Sequence, residues 1–204
     1  MDKRDNRPKS QTNRTMTAAS DIPVLDKPLV LVGLMGAGKS SVGRRVATRL
    51  GLPFVDADSE IETAAGLTIP DIFEVYGEAA FRDCEKRVIA RLIDGPVQVI
   101  ATGGGAFVND ETRQLVKDRA VSVWLHAPVE LLVERVSRRN NRPLVANTDP
   151  GPVLTRLAAE REPYYAQADI RVESGDGPHE KVVEDIIAAV SALLAAPVKE
   201  ATAR

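Results

Sequence analysis

The segment Gly33-Leu34-Met35-Gly36-Ala37-Gly38-Lys39-Ser40 constrains the fold of this chain more than any other stretch. It fits the pattern G-x4-G-K-[ST], follows the apolar run Leu29 to Val32, and precedes a helical pattern with Val42, Val46, Ala47 and Leu50 along one side. That is the strand, loop, helix context that a phosphate-binding loop needs. Glycines at 33, 36 and 38 let the backbone turn sharply enough for successive N–H groups to point inward, and the helix beginning near Lys39 adds the positive end of its dipole. Such a socket suits a polyphosphate. Lys39 then carries a mobile ammonium to the β and γ phosphates, and the Ser40 hydroxyl is placed to ligate a magnesium ion. A glycine-rich turn ahead of an ordinary helix is the plain alternative, and the flanking patterns argue against it.

The rest of the chain narrows the function classes. Its 204 residues suit one domain with a full hydrophobic core, and 44% hydrophobic with 27% charged residues is ordinary for a soluble globular protein. A formal net charge of -2 gives no sign of a nucleic-acid coat or a membrane-surface protein. Cys84 is the only cysteine, so an internal disulfide and a cysteine-based metal cluster are excluded. His126 and His179 are isolated, show no metal spacing, and read as surface or capping residues. No apolar run is long enough to cross a bilayer, and the N-terminus lacks a signal-peptide core. The expectation is a cytoplasmic, monomeric protein with small-molecule partners and no nucleic acid or membrane among them.

Residues 1–26 are polar, with Lys3, Arg4, Arg7, Lys9 and Arg14 against Asp2 and Asp5, and read as a disordered basic tail. The two aspartates sit poorly with a transit peptide, whose composition is acid-poor. From Pro28 short apolar runs alternate with longer helical patterns, which is the signature of an α/β domain with a parallel sheet, here over 27–196. Strands are expected at Leu29–Val32, Pro53–Val55, Val97–Ala101, Ala120–Leu125 and Asp169–Val172. Ser59 and Glu62 form a possible capping box for a helix running toward Ala65, and Phe81, Cys84, Val88 and Leu92 share one helical face beyond a break at Gly77. Helices are expected over Pro128–Ser137, over Pro152–Gln167, and along Val182, Val183, Ile186, Ile187, Val190 and Leu194. Residues 138–151 are polar, turn-forming and basic, as a mobile lid would be, and 197–204 read as a C-terminal tail.

In open parallel sheets, ligands bind beyond the carboxyl ends of the strands, and here the loops at those ends carry the informative residues. Asp56 and Asp58 follow the second strand. One carboxylate could hold magnesium waters near Ser40 while the other orients and deprotonates an acceptor hydroxyl; a helix cap and a turn aspartate are the alternatives. Thr102 and the triplet Gly103-Gly104-Gly105 follow the third strand, where main-chain N–H groups can approach a ligand closely unless the triplet is only a flexible turn. Arg82, one turn from Glu85, and Arg161 are either snorkelling surface cations or a pair suited to planar recognition of a carboxylate. Arg142 could swing over the phosphates on lid closure, unless Arg138, Arg139 and Arg142 are simply a solvated loop. Held polyphosphate, magnesium, cationic stabilisation and an oriented acceptor are what phosphoryl transfer requires.

Taken together, these pieces resemble the shikimate kinase family over nearly all of Pro28 to about Val190. The resemblance rests on Gly33 to Ser40, Phe54-Val55-Asp56-Ala57-Asp58, Asp71-Ile72-Phe73 with Gly77-Glu78 and Phe81-Arg82, the glycine triplet, Arg142-Pro143-Leu144, and Arg161-Glu162-Pro163-Tyr164-Tyr165. It implies a single-domain P-loop kinase whose five-stranded parallel sheet runs 2-3-1-4-5 between helices, with a mobile lid. It also implies transfer of the ATP γ-phosphoryl group to the 3-hydroxyl of shikimate, with Mg2+ as cofactor. By the same resemblance Asp58 binds and activates the acceptor hydroxyl, and Asp56 holds magnesium through water beside Ser40. Arg82, Arg161 and the backbone of Gly103, Gly104 and Gly105 grip shikimate, with Glu85 orienting Arg82. ATP is held by Gly36, Ala37, Gly38, Lys39, Ser40 and Ser41, with Arg135 against adenine, Pro178 in the adenine-side loop, and Arg142 as the lid cation. Strand three ends in Ala101-Thr102 rather than in the aspartate that often holds magnesium in P-loop proteins, a substitution the family shares.

Two other readings compete. A gluconate or nucleoside monophosphate kinase would carry a similar phosphate loop, and only the acceptor pocket separates it. A nucleotide-dependent switch without transfer chemistry finds no guanine-reading Asn/Thr-Lys-x-Asp motif in the chain and leaves Asp58 without a task.

Overall fold

The computed structural model describes residues 22–138 and 149–196. Five strands, β1 (Leu29–Val32), β2 (Phe54–Asp56), β3 (Val99–Ala101), β4 (Val121–His126) and β5 (Ile170–Glu173), form one sheet in the order β2-β3-β1-β4-β5. All four pairings are parallel, with Leu31 opposite Ala101 on one side and Val32 opposite Trp124 on the other. The order is the one the resemblance implies. β1, β3 and nearly all of β4 are buried, so these central strands read as unbroken apolar runs. Strand β5 instead alternates buried and exposed residues, as an edge strand with one covered face does.

Helices α1 (Lys39–Leu50), α2 (Ala57–Ala65), α3 (Ile69–Ile93), α4 (Asp110–Arg119), α5 (Val129–Ser137), α6 (Pro150–Tyr165) and α7 (His179–Ala195) surround the sheet. The turn that leaves β1 fixes the position of the phosphate loop. Gly33 adopts φ 133°, and a Cβ there would lie 2.5 Å from the Leu125 carbonyl oxygen of β4, so no other residue fits. The expected break at Gly77 is real. Its backbone (φ 78°, ψ 173°) separates two helical pieces of α3, and Phe81, Val88 and Leu92 of the second piece are buried in the core, with Cys84 packed against it.

Several boundaries differ from expectation, each for a local reason. Helix α2 starts at Ala57 because the Asp56 side chain accepts from the Asp58 N–H and is the N-cap. Ser59 therefore lies inside the helix, and Glu62 accepts the Ile69 N–H instead of closing a capping box. Helix α6 begins at Pro150, two residues early, because Asp149 caps it through the Gly151 N–H. The lid expected over 138–151 thus gives up Arg138 to the end of α5 and Asp149, Pro150 and Gly151 to the start of α6, and 139–148, with residues 1–21 and 197–204 of the expected tails, lie outside the described residues. The sequence reading places no element between Gly105 and Ala120, yet a 3-10 turn (Ala106–Val108) and α4 stand there. Helix α4 buries only Thr112 and Val116, too little to leave an apolar period. Its signals are instead the Asn109 cap on the Thr112 N–H, acids in the first turn and Lys117 and Arg119 in the last. Among the described residues no helix is long and apolar enough to cross a membrane.

Gly43 shows how tightly α1 seats on the sheet. A Cβ there would come within 2.7 Å of the Phe54 ring and 2.9 Å of a Leu31 methyl. Gly43→Ala gains helix propensity of about 1 kcal/mol, but overpacking costs typically ~1–3 kcal/mol. The expected net result is a lower thermal midpoint, and a raised one would mean that this contact relaxes freely.

Candidate active site

Two cavities open at the carboxyl ends of the strands and share a wall. The first, of about 260 Å³, is bounded by Gly36, Gly38, Lys39 and Ser40 of the phosphate loop and by Arg135, Arg138 and His179. The second, of about 380 Å³, is bounded by Phe73, Phe81, Arg82, Glu85, Gly105 and Arg161. Ser40, Asp56, Asp58, Gly103 and Gly104 line both. A molecule in either cavity therefore meets a molecule in the other across Asp58.

On the loop side, the carbonyl oxygens are tied back by hydrogen bonds. The buried Lys39 ammonium donates to the carbonyls of Gly33 (2.7 Å) and Leu34 (2.9 Å), which anchors it within its own loop. The Gly38 carbonyl starts α1 by accepting the Val42 N–H at 2.8 Å. The Ser40 hydroxyl donates to Asp56 Oδ2 at 2.6 Å, while Asp56 Oδ1 takes the Asp58 N–H at 3.1 Å. Asp56 is thus both the cap of α2 and the partner of Ser40, and its capping role places Asp58 in the first turn of α2. Thr102, at the end of β3, spends its hydroxyl on the Leu31 carbonyl at 3.0 Å. Arg135 reaches over the loop and donates to the Gly36 carbonyl (3.3 Å), the Ser174 hydroxyl (3.3 Å) and the Gly175 carbonyl (2.7 Å).

The acceptor-side cavity is built around the glycine triplet, each member of which admits a different side chain. A Cβ on Gly103 would stand 2.8 Å from both Asp58 Oδ1 and Glu85 Oε1; on Gly104, 3.5 Å from Arg161 Nη1; on Gly105, 2.5 Å from Arg82 Nη1. The triplet is therefore a packing surface rather than a flexible turn. Arg82 donates to Glu85 Oε2 at 2.7 Å and, through Nη2, to Glu78 Oε1 at 3.1 Å. Burial works against its charge, but Glu85 and Glu78 outweigh this and raise its pKa above the ordinary value. Burial pushes the Glu85 carboxyl up, against the pull of Arg82, and the nearby Asp58 carboxylate adds to the rise. Glu85 is 3% exposed, and its Oε1 has no hydrogen-bond partner among the described residues.

A family model described as shikimate kinase matches residues 35–191. The chain belongs to the shikimate kinase family. A shikimate kinase of Rhodopseudomonas palustris is 52% identical over 190 residues, covering 93% of this chain and 94% of that protein. One of Caulobacter vibrioides is 62% identical over 168 residues, covering 82% and 84%. The solved structure of a shikimate kinase from Acinetobacter baumannii in complex with shikimate superposes with a TM-score of 0.80 at 38% identity, covering 83% of this chain and 96% of that one.

Against this family background, most residues singled out in the sequence converge. Lys39, Ser40, Asp56, Asp58 and Arg135 meet at the first cavity, and Arg82, Glu85, Gly103 to Gly105 and Arg161 at the second. Pro178 stands one residue before α7 as its N-cap, beside the cavity-lining His179, to which the sequence reading gave no chemistry. Arg138 ends α5 and pairs with Glu134, and Arg142 lies outside the described residues. His126 holds Glu173 across the β4–β5 edge at 2.6 Å, as a surface residue would. Two further residues hold the site in ways to which the sequence assigns no role. Ser174, immediately after β5, is 1% exposed and donates to the Ala37 carbonyl at 2.8 Å; its only sequence signal is a small hydroxyl at a strand's carboxyl end. Tyr165, 2% exposed and stacked near Trp124, donates to the Gly104 carbonyl and so fixes the triplet from below.

Burial pushes the Tyr165 hydroxyl up to about 12, even though Arg161 draws it down. Because the folded state keeps this proton after an unfolded tyrosine has lost it near pH 10, the folded protein loses stability as pH rises from about 10 to about 12. The loss is on the order of 2–3 kcal/mol at the top of that window. Denaturant titrations should therefore show a steeper alkaline decline for the unaltered protein than for Tyr165→Phe. Parallel declines would mean that the hydroxyl is not held neutral.

Proposed function

We propose that the chain transfers the γ-phosphoryl group of ATP to the 3-hydroxyl of shikimate, giving shikimate 3-phosphate and ADP. The observation that carries the reading is the meeting of the two cavities at Asp58, with a phosphate loop on one side and two arginines, Arg82 and Arg161, on the other. ATP fits the first cavity, its β and γ phosphates against the loop from Gly36 through Ala37 to Gly38, in which the Ala37 N–H closes a turn on the Leu34 carbonyl at 3.3 Å, with Ser40 and Ser41 at the N-terminus of α1. Lys39 swings from the Gly33 and Leu34 carbonyls to the β and γ oxygens, exchanging neutral acceptors for charged ones. Arg135 and Pro178 flank the adenine, and Arg142 is the lid cation of this reading.

Shikimate fits the second cavity. Arg82 and Arg161 approach the triplet from different elements, so a planar carboxylate can lie between two guanidinium groups. The ring hydroxyls of the acid supply donors for Asp58 and for the unpartnered Glu85 Oε1, while the N–H groups of the triplet approach without side chains in the way. Asp58 then accepts the proton of the attacking hydroxyl as the bond to phosphorus forms. This division of labour disfavours gluconate and nucleoside monophosphates, which lack a compact ring acid that spans from the arginine pair to Asp58.

Ser40 and Asp56 suit Mg2+. Both present oxygen atoms, the pair is already in contact, and a magnesium ion keeps several waters and phosphate oxygens rather than entering a protein cage. Among the described residues no group of three or more His, Cys, Asp or Glu forms such a cage. The ion would neutralise charge on the transferring group when bound. A cytosolic, monomeric enzyme completes the reading, in keeping with the single cysteine.

Purified protein with Mg2+ and ATP should release ADP rapidly with shikimate and poorly with gluconate or AMP. Equal turnover with either rival would overturn the substrate assignment. Asp58→Asn should lower kcat by about 10²–10⁴-fold with ATP affinity nearly unchanged, and an unaltered kcat would reduce Asp58 to a helix residue.

A further inference from the structure

The phosphate loop is held from outside its own sequence. Two consecutive loop carbonyls, those of Gly36 and Ala37, accept hydrogen bonds from Arg135 of α5 and from Ser174, the residue that follows β5. Ser174 is fixed in place in turn. Its N–H donates to the His126 carbonyl at 2.6 Å, which makes it the last link between β4 and β5, and its hydroxyl also receives Arg135. It sits directly beneath the loop, since a Cβ on Gly38 would lie 3.8 Å from its Oγ. The C=O and N–H of a trans peptide point in opposite directions. Tying the Ala37 carbonyl down to Ser174 therefore turns the Gly38 N–H up toward the cavity that Gly38 lines.

We propose that Ser174, working with Arg135, is a positioning residue for polyphosphate. It holds the carbonyls of the loop away from the cavity, so that the socket stands formed before nucleotide arrives. The proposal rests on reading the first cavity as the ATP site. It gives Arg135 a second task beside adenine, because its in-plane N–H groups are engaged with Gly36, Ser174 and Gly175 while the guanidinium faces stay available for stacking. It also ties the adenine-side loop, which begins at Gly175, to the phosphate side through a single side chain.

The test measures binding of ATP, of inorganic tripolyphosphate, and of shikimate alone by calorimetry, with the unaltered protein, Ser174→Ala and Arg135→Met. Tripolyphosphate reports on the loop without the base, and shikimate reports on an intact fold. Ser174→Ala should weaken ATP and tripolyphosphate by the same factor, about three- to tenfold for one lost hydrogen bond, and leave shikimate unchanged; Ser174→Thr, which keeps the hydroxyl, should restore both. Arg135→Met should also weaken tripolyphosphate, which a residue serving adenine alone would not do. Unchanged tripolyphosphate affinity in both variants overturns the inference, as does a parallel loss of shikimate binding, which would mark a general destabilisation. Unaltered protein that binds ATP but not tripolyphosphate overturns it as well, since a preformed socket must hold the bare anion. Unaltered protein that binds neither refutes the ATP site itself.

Discussion

Everything at this site depends on one backbone constraint: a concave run of N–H groups can exist only if the carbonyls of the same peptides have somewhere else to go. An anion is drawn by N–H groups and repelled by carbonyl oxygen. In this chain Gly33 and Leu34 offer their carbonyls to Lys39, Gly36 to Arg135, Ala37 to Ser174, and Gly38 to the first turn of α1. The motif's own Lys39 takes two of these carbonyls and the helix that follows takes a third, while the other two depend on α5 and on the residue after β5. That is why a loop of a few residues needs β4, β5 and α5 around it, and why the strand order matters to the chemistry. With β1 between β3 and β4, the loop has a wall on either side that can carry a partner.

The acceptor side follows a different logic. Charged groups crowd a small space, and glycine is what lets them in. Asp58, Glu85, Arg82 and Arg161 come from α2, α3 and α6, and each reaches the triplet because no side chain there blocks it. The crowding raises the proton affinity of both Arg82, whose charge Glu85 and Glu78 hold, and Glu85, whose charge burial opposes. Tyr165 stays neutral beneath them and locks the Gly104 carbonyl.

Much of this was legible in the sequence, and what was not has physical causes. The phosphate loop, the positions of the buried strands along the chain and the break at Gly77 are local patterns, and local patterns survive in one dimension, whereas the order of the strands in the sheet came only from the resemblance. Asp56, Asp58, Arg82 and Arg161 were visible as candidates, but their alternatives could be removed only by contacts across the chain. A cap for Asp58 gave way to a cap by Asp56 once the start of α2 was seen. Helix α4 was missed because its face is mostly solvent, so its evidence lies in caps and end charges rather than in periodicity. Ser174 was missed because a serine after a strand carries no signal of its own; its meaning comes from a carbonyl 137 positions away.

The Ser40–Asp56 contact has a directional consequence. A hydroxyl has one proton, and Ser40 donates its hydrogen bond to the Asp56 carboxylate beside it. What it has left for anything else in the cavity is lone-pair density alone. A phosphate oxygen that came straight up to it would find another acceptor and be turned away, whereas any positive charge set between them would satisfy both. At this one side chain the site is thus made for a cation, and the anion is left to the loop N–H groups beside it.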